Sequence, residues 1–230
     1  MKKIRFCAIK KKHILIVLCL LLAVASVGVF FGVRAVVAKP NLAPTIVIDA
    51  GHGGRDGGAV GDNSTESQLN LDYALTLKDV CEQFGYNVVL TRDDMAGLYS
   101  PLASNKKRSE MEKRIEIIEK TNPDMVISIH MNSFSSDAVR GSQVFYAQGM
   151  DSGQALAERV QTSLHKNIEY AKKTAKIGDY YILNCSPNPS ILIECGFISN
   201  ADEEKLLLDS EYRQKFCYFV VCGIISYFEL

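Results

Sequence analysis

The chain has 230 residues, and its 26 Lys and Arg balance its 26 Asp and Glu to a formal net charge of zero. The balance hides an asymmetry, because residues 1–40 hold eight Lys or Arg and no acid, which leaves residues 41–230 with a net charge of −8. An acidic domain lacks the basic surface that neutralises nucleic-acid phosphates, so we exclude nucleic acid as the expected partner. The remaining 190 or so residues suit a single domain with a sizeable core.

The amino-terminal part of the sequence predicts export. Ile14–Val33 is twenty residues without a charge, about 30 Å of helix at about 1.5 Å per residue, which is enough to cross a bilayer. The basic residues before it favour a cytoplasmic start. We therefore expect a basic cytoplasmic flank at 1–13, a membrane anchor or signal segment at 14–37, a tether at 38–44 and one domain at 45–230. The alternative is a signal peptide cleaved after Val36-Val37-Ala38, which would release the domain instead of anchoring it to the outer face of the cytoplasmic membrane.

Strand and helix patterns alternate after residue 44. Apolar runs predict strands, and apolar residues at helical spacing predict the helices between them. The predicted strands are 45–49, 86–91, 125–130, 143–147, 180–183 and 191–194. The predicted helices are 67–84, 108–120 and 152–166, followed by two helical stretches from about 201 to 228. This alternation predicts a single three-layer α/β domain with a mostly parallel, twisted sheet flanked by helices.

The cysteines do not suggest a disulfide framework. Cys7 and Cys19 precede the domain or lie in the apolar segment, and five cysteines remain without a CxxC pair. Even counts are usual for a disulfide framework in a short chain, so we expect core thiols.

Three strands place chemically active residues at their carboxyl ends. The glycine-rich stretch "TIVIDAGHGGRDGGAVG" presents His52 directly after a strand, and it matches neither the Walker nor the dinucleotide glycine pattern. "MVISIHMNS" places His130 at a strand end, and "SILIECGF" does the same for Glu194. Ligand sites in open α/β sheets lie at the edge formed by the carboxyl ends of the strands. Glu66 begins the first predicted helix, where it could also be a simple helix N-terminal charge.

These residue types predict a metal hydrolase. Two imidazoles and a carboxylate around an open fourth position form a catalytic zinc site, and a separate carboxylate could act as general base. Cys195 leaves a second possibility, a Cys–His nucleophile. Alternation along the strand places Cys195 on the face opposite Glu194, which favours a core position instead.

The ordered set "IVIDAGHGGRDGGAVG", "TESQLNL", "LTRDD", "ISIHMNS" and "ILIECGFISNADEE" resembles the zinc-dependent N-acetylmuramoyl-L-alanine amidases of the amidase-3 family. The resemblance covers about residues 45–228. It implies hydrolysis of the amide between N-acetylmuramic acid and L-alanine in peptidoglycan. It also implies Zn²⁺ ligation by His52, Glu66 and His130, with Glu194 as the catalytic glutamate. Arg92 and Arg114 match arginines of the family and are expected to be structural or rim residues.

The resemblance also implies a setting for the enzyme. A bare domain behind a membrane segment is similar to the sporulation members, which act in muramic-δ-lactam formation in spore cortex. For such a member, the anchoring membrane would be the forespore membrane. A vegetative cell-wall amidase and a non-catalytic peptidoglycan-binding protein are the alternatives. The short distance between His130 and the strand at Gln143 leaves no room for the blocking helix of some members. A small domain of this kind is expected to use an accessory protein for placement or zinc loading.

Overall fold

The computed structural model describes residues 43–229. The predicted flank at 1–13, the membrane anchor or signal segment at 14–37 and the tether up to residue 42 lie outside these residues, so they stay predictions. Within residues 43–229, the helices are too short or too polar to cross a bilayer.

The described residues form six strands and five α-helices. The strands are Thr45–Ala50 (β1), Asn87–Leu90 (β2), Met125–Asn132 (β3), Gln143–Tyr146 (β4), Lys176–Ile177 (β5) and Ser190–Phe197 (β6). The helices are Glu66–Gln83 (α1), Lys106–Thr121 (α2), Asp151–Asn167 (α3), Ala201–Leu208 (α4) and Ser210–Phe228 (α5), with a 3₁₀ turn at Tyr181–Asn184.

The strands form one sheet in the order β2-β1-β3-β6-β4-β5. All neighbouring strands are parallel except β4 and β6, which run antiparallel. The central strands β1, β3 and β6 are covered on both faces, which explains their almost continuous apolar sequences. The predicted mostly parallel α/β sheet is confirmed.

Helices cover both faces of the sheet and produce three layers. Ile48, Ile127 and Ile193 face the larger core, which is completed by side chains of α1, α3, α4 and α5. Val47 and Leu192 face a smaller core with Ile118 of α2 and the 3₁₀ turn. The smaller face leaves an open area at the carboxyl edge of the sheet, because α2 is the one helix among the described residues that packs there.

Two edge segments differ from the predictions. The predicted strand at 180–183 is wrong, because the chain forms a 3₁₀ turn there. Ile182 and Leu183 are both buried, and a strand would turn neighbouring side chains to opposite faces. Strand β5 has two exposed residues and was not predicted, since it carries no apolar pattern.

Candidate metal centre

Four predicted site residues meet at the carboxyl edge of the sheet, on the side covered by α2. His52 follows β1, and Glu66 is the first residue of α1. His130 of β3 is directly paired in register with Glu194 of β6. Neighbouring strands lie about 4.8 Å apart, so these two side chains adjoin across the sheet.

The geometry of three of these residues fits a metal ion. Nε2 of His52 lies 3.2 Å from Oε1 of Glu66, and Nδ1 of His130 lies 2.9 Å from the same oxygen. Tetrahedral zinc with bonds of about 2.1 Å separates its ligand atoms by about 3.4 Å, only slightly more than these distances. Two imidazoles and one carboxylate are also a donor set that zinc uses in hydrolases. His52, Glu66 and His130 therefore form a candidate metal site.

Glu66 is held by backbone groups as well as by the histidines. Its Oε2 accepts from the amide of Ala59 at 2.8 Å, and its Oε1 accepts from the amide of Met131 at 3.3 Å. Burial works to raise the pKa of Glu66, but the hydrogen bonds of His130 and His52 outweigh burial and hold the pKa well below its usual range. Glu66 is therefore an ionised carboxylate, as a metal ligand must be.

His52 occupies an unusual backbone conformation. Its φ is +60°, in the left-handed region that non-glycine residues rarely adopt. Such a residue costs of order 1–2 kcal/mol and persists only where its surroundings hold it. The carbonyl of His52 accepts from Arg92 at 2.8 Å and from Arg114 at 2.7 Å. Two buried arginines thus hold the backbone that carries the first histidine.

Arg92 makes its contacts almost entirely with backbone carbonyls. Its guanidinium donates to the carbonyl oxygens of Ala50, Gly51, His52, Ser67 and Asp94. Since Ser67 follows Glu66 directly, Arg92 connects the loop of one candidate ligand to the helix end of another. The structural alternative for Arg92 is supported, because the residue is only 4% exposed and does not lie on the rim.

Arg114 belongs to a buried ion network beneath the loop. It pairs with Asp49 and, at 2.8 Å, with Glu110. Asp49 also accepts from Thr91 at 2.8 Å and from Ser128 at 2.7 Å. Burial works to raise the pKa of Asp49, but Arg114 and these hydroxyls outweigh burial and lower the pKa below its usual value. The network therefore stabilises the charges that hold the His52 loop.

Two glycines of the loop make room for candidate ligands. A Cβ at Gly51 would lie 2.3 Å from the ring of His130, and a Cβ at Gly58 would lie 2.4 Å from Oε2 of Glu66. Gly58 also has a φ of +66°. The glycine-rich sequence thus permits close packing around the site, a reason that the sequence alone did not reveal.

Glu194 has an environment that suits a general base. It is 8% exposed, and its Oε2 has no hydrogen-bond partner within residues 43–229. Burial raises the pKa of Glu194 to about 7, with the Glu66 charge adding to the rise and the histidines opposing it. A base works best when its pKa lies near the working pH. A nearby cation would be an electrostatic partner for this otherwise uncompensated carboxylate.

One contact was missed by the sequence analysis. Oδ2 of Asp56 lies 2.9 Å from Nδ1 of His52. Nδ1 nevertheless makes no well-directed hydrogen bond, so the contact is chiefly electrostatic. Asp56 can orient the ring of His52 so that Nε2 faces Glu66. Its position four residues after His52, in a glycine loop, was the signal that could have revealed it.

Cys195 does not join the site. It is fully buried in the larger core, on the opposite sheet face from Glu194. Burial raises the pKa of its thiol well above the ordinary value, and a nucleophilic cysteine needs the opposite shift. All five cysteines in the described part of the chain are free. Cys81, Cys195 and Cys217 are buried as expected of core thiols, whereas Cys185 and Cys222 are partly exposed.

The candidate site opens into a cleft of about 870 Å³. Residues of the His52 loop, the start of α2, the 3₁₀ turn and the residues just before that turn line the cleft. A cleft of this size can hold a small oligomeric substrate beside the metal ligands.

The fold and the site define a class: an α/β protein with a candidate three-ligand metal centre and a buried carboxylate at the carboxyl edge of its sheet. Residues 46–226 match the family Amidase_3, described as N-acetylmuramoyl-L-alanine amidase. The chain therefore belongs to the N-acetylmuramoyl-L-alanine amidase family, and its class of activity is that of a peptidoglycan amidase.

Similar proteins agree with this assignment. The chain is 33% identical over 187 residues to the germination-specific N-acetylmuramoyl-L-alanine amidase of Bacillus subtilis, covering 80% of this chain and 79% of that protein. The CwlD amidase of Clostridioides difficile, solved in complex with the GerS lipoprotein, is 34% identical with a TM-score of 0.77. That match covers 81% of this chain and 98% of the CwlD chain. The catalytic domain of CwlV from Bacillus (Paenibacillus) polymyxa is 28% identical with a TM-score of 0.71, covering 81% and 98%.

Proposed function

We propose that this chain is a zinc-dependent amidase that cuts the bond between N-acetylmuramic acid and L-alanine in peptidoglycan. The observation that carries the proposal is the meeting of His52, Glu66 and His130 within 4.8 Å, beside the buried carboxylate of Glu194. His52, Glu66 and His130 would hold the ion. Bound there, zinc would polarise the scissile carbonyl and lower the pKa of water.

The protein groups then divide the remaining work. Glu194 takes a proton from the attacking water and passes it to the departing amine of alanine. The carboxylate of Glu194 is therefore ionised again when the reaction ends. Its burial excludes competing water and raises its proton affinity. Arg92 and Arg114 hold the His52 backbone, and Asp56 orients the His52 ring.

Digestion of purified sacculi tests the bond that is cut. We expect new amino-terminal alanine and peptide-free glycan, with both products lost when a chelator removes the metal and restored by added Zn²⁺. Alkylation of thiols should leave the activity unchanged. Retention of full activity in a metal-free preparation would exclude the zinc mechanism, and release of reducing sugar ends without alanine would exclude the amidase reaction.

We propose the spore cortex as the site of action. The support is the similarity to the germination-specific amidase of Bacillus subtilis. In this setting the enzyme removes stem peptides so that muramic-δ-lactam can form. Expression of the chain in a Bacillus subtilis strain lacking its germination-specific amidase should restore muramic-δ-lactam to cortex fragments in mass analysis. Cleaved vegetative wall without lactam in the cortex would favour the vegetative alternative.

We also propose that the enzyme acts outside the cytoplasmic membrane with an accessory protein. The apolar residues 14–33 support export, and the complex of the C. difficile CwlD amidase with a lipoprotein supports a partner. Cell fractionation with and without a cleavage-blocking change at Ala38 distinguishes an anchored from a secreted enzyme.

Affinity purification of the tagged chain from sporulating cells should recover an envelope protein that increases the zinc content of the amidase. Full zinc loading in the absence of any bound protein would contradict the loading role.

A further inference from the structure

The cleft at the candidate metal centre contains three cations that the proposed mechanism does not use. Arg55 of the His52 loop and Lys106 and Lys107 at the start of α2 line the cleft, and we call these three residues the basic wall. Asp56 and Glu110 line the same cleft, but Asp56 pairs with His52 and Glu110 pairs with Arg114. The acids beside the basic wall are therefore already engaged within the protein.

The three cations of the basic wall (Arg55, Lys106 and Lys107) are available to a ligand. Within residues 43–229, none of the three forms an ion pair with a carboxylate. Arg55 and Lys107 are exposed, and Lys106 is partly buried with its ammonium 5.2 Å from the centre of the Tyr99 ring. They come from two separate segments, so the cluster is produced by the fold and not by one charged run.

The stability of α2 does not account for two of these residues. Lys106 and Lys107 occupy the first turn of the helix, which contains no acidic residue. The helix dipole favours acidic side chains at this end, so lysines there reduce helix stability. Residues that violate such a local rule are often found at functional sites. The domain has a net charge of −8 over residues 41–230, which makes a basic cleft wall a further departure from its general composition.

The basic wall lies close to the candidate ligands. Its three cations line the same cleft as His52, Glu66 and His130. Arg55 is only three residues from His52 in the chain, so their Cα atoms are at most about 11 Å apart. An extended peptide advances about 3.5 Å per residue. A residue that follows the scissile bond by one or two positions can therefore come within reach of the long Arg55 side chain.

We propose that Arg55, Lys106 and Lys107 form a recognition site for the free carboxylates of the stem peptide. The inference rests on the proposed function, because it assigns a direction to the substrate of that same site. A free carboxylate on the peptide residue next to the released alanine is the group that this wall would bind. Amidation of that carboxylate removes the charge and converts the peptide into a poorer substrate.

The test compares two soluble N-acetylmuramoyl peptides with the purified full-length chain. They differ only in the second peptide residue, which carries a free α-carboxylate in one and a carboxamide in the other. We expect the wild-type enzyme to prefer the free acid through a lower KM. Replacement of all three cations, as Arg55→Gln with Lys106→Gln and Lys107→Gln, should raise the KM for the acid about tenfold, in line with a few partly exposed ion pairs. The KM for the amide should remain unchanged, and the preference should decline with added salt.

Two further variants separate binding from structure. Lys107→Arg should retain the preference for the acid, because it retains the charge. Lys215→Gln removes an exposed cation on α5, outside the cleft lining, and should leave both KM values unchanged. Equal effects of the triple substitution on both peptides would overturn the carboxylate site while leaving the amidase function intact. Loss of binding to intact sacculi alone, with both soluble peptides unaffected, would instead indicate an anionic wall polymer and would also overturn it. Failure of the wild type to cleave either peptide would overturn the proposed function itself.

Discussion

Nε of Arg92 donates a hydrogen bond of 2.8 Å to the carbonyl oxygen of His52. The contact joins a residue that follows β2 to a candidate ligand that follows β1. It holds His52 at a φ of +60°, a conformation that exposes its imidazole to Glu66. The position of the imidazole therefore depends on a buried side chain that does not touch the metal site itself.

Arg92 is expected to control metal affinity. Arg92→Lys has at most three donors for five carbonyls. Those of Ala50, Gly51 and His52 keep a second donor from Arg114 or Asn70, so the main loss is the planar fork that fixes the His52 loop against Ser67. We expect zinc affinity to fall about 10- to 100-fold, as with other residues that orient metal ligands. Competition with a chromophoric chelator measures this change. Arg159→Lys, on the exposed side of α3, is the matched control. Unchanged zinc affinity in a destabilised Arg92→Lys protein would assign Arg92 a purely structural role.

Asp56 is expected to orient the ring of His52. Asp56→Asn removes the charge that lies 2.9 Å from Nδ1, and zinc affinity should fall about tenfold. Asp179 is another acidic residue that lines the cleft, but it does not pair with a candidate ligand. The zinc affinity of Asp179→Asn should therefore match that of the wild type. Isothermal titration of both variants with Zn²⁺ gives the comparison. Equal losses in both would indicate a general charge effect in the cleft.

Neighbouring glycines provide a steric test of the site. Gly58→Ala introduces a Cβ at 2.4 Å from Oε2 of Glu66, at a φ of +66°. The substitution should displace Glu66, weaken zinc binding and destabilise the fold by about 1–2 kcal/mol. Gly57→Ala introduces a Cβ with no atom within 4 Å, so it should leave both quantities unchanged. Denaturant unfolding with zinc titration distinguishes the two, and equal behaviour of the pair would contradict the packing of Glu66.

Glu194 is expected to set the acid limb of the pH profile. A base must be deprotonated to accept a proton, so kcat should fall as the pH drops through the pKa of Glu194. Burial raises that pKa to about 7, and a bound cation favours the ionised carboxylate. The acid limb should therefore have a midpoint at or below pH 7. A kcat profile with a midpoint above pH 8, measured with saturating Zn²⁺, would assign the limb to another group.

The sequence was sufficient to predict the central fold and the four residues at its edge. Long apolar runs reveal β1, β3 and β6 because these strands are buried on both faces. Polar residues at the ends of such runs, such as His130 and Glu194, are conspicuous for the same reason. The parallel order of these strands then brings the residues together.

The remaining features depend on contacts that have no local sequence pattern. β5 consists of Lys176 and Ile177, both exposed, so only its pairing with β4 defines it. The carbonyl contacts of Arg92 include two segments distant in the chain, residues 50–52 and Ser67, and could not be read from its neighbours. The proximity of the basic wall to the metal site likewise follows from the way α2 begins beside the His52 loop.

Metal content and activity of matched variants test the central claim most directly. Purified wild-type protein and Glu194→Gln should each contain about one zinc per chain, while His52→Ala, Glu66→Ala and His130→Ala should lose it. Glu194→Gln should retain the metal yet release no alanine-terminated peptide from sacculi. A Glu194→Gln enzyme with near wild-type activity, or ligand variants that retain both zinc and activity, would contradict the account.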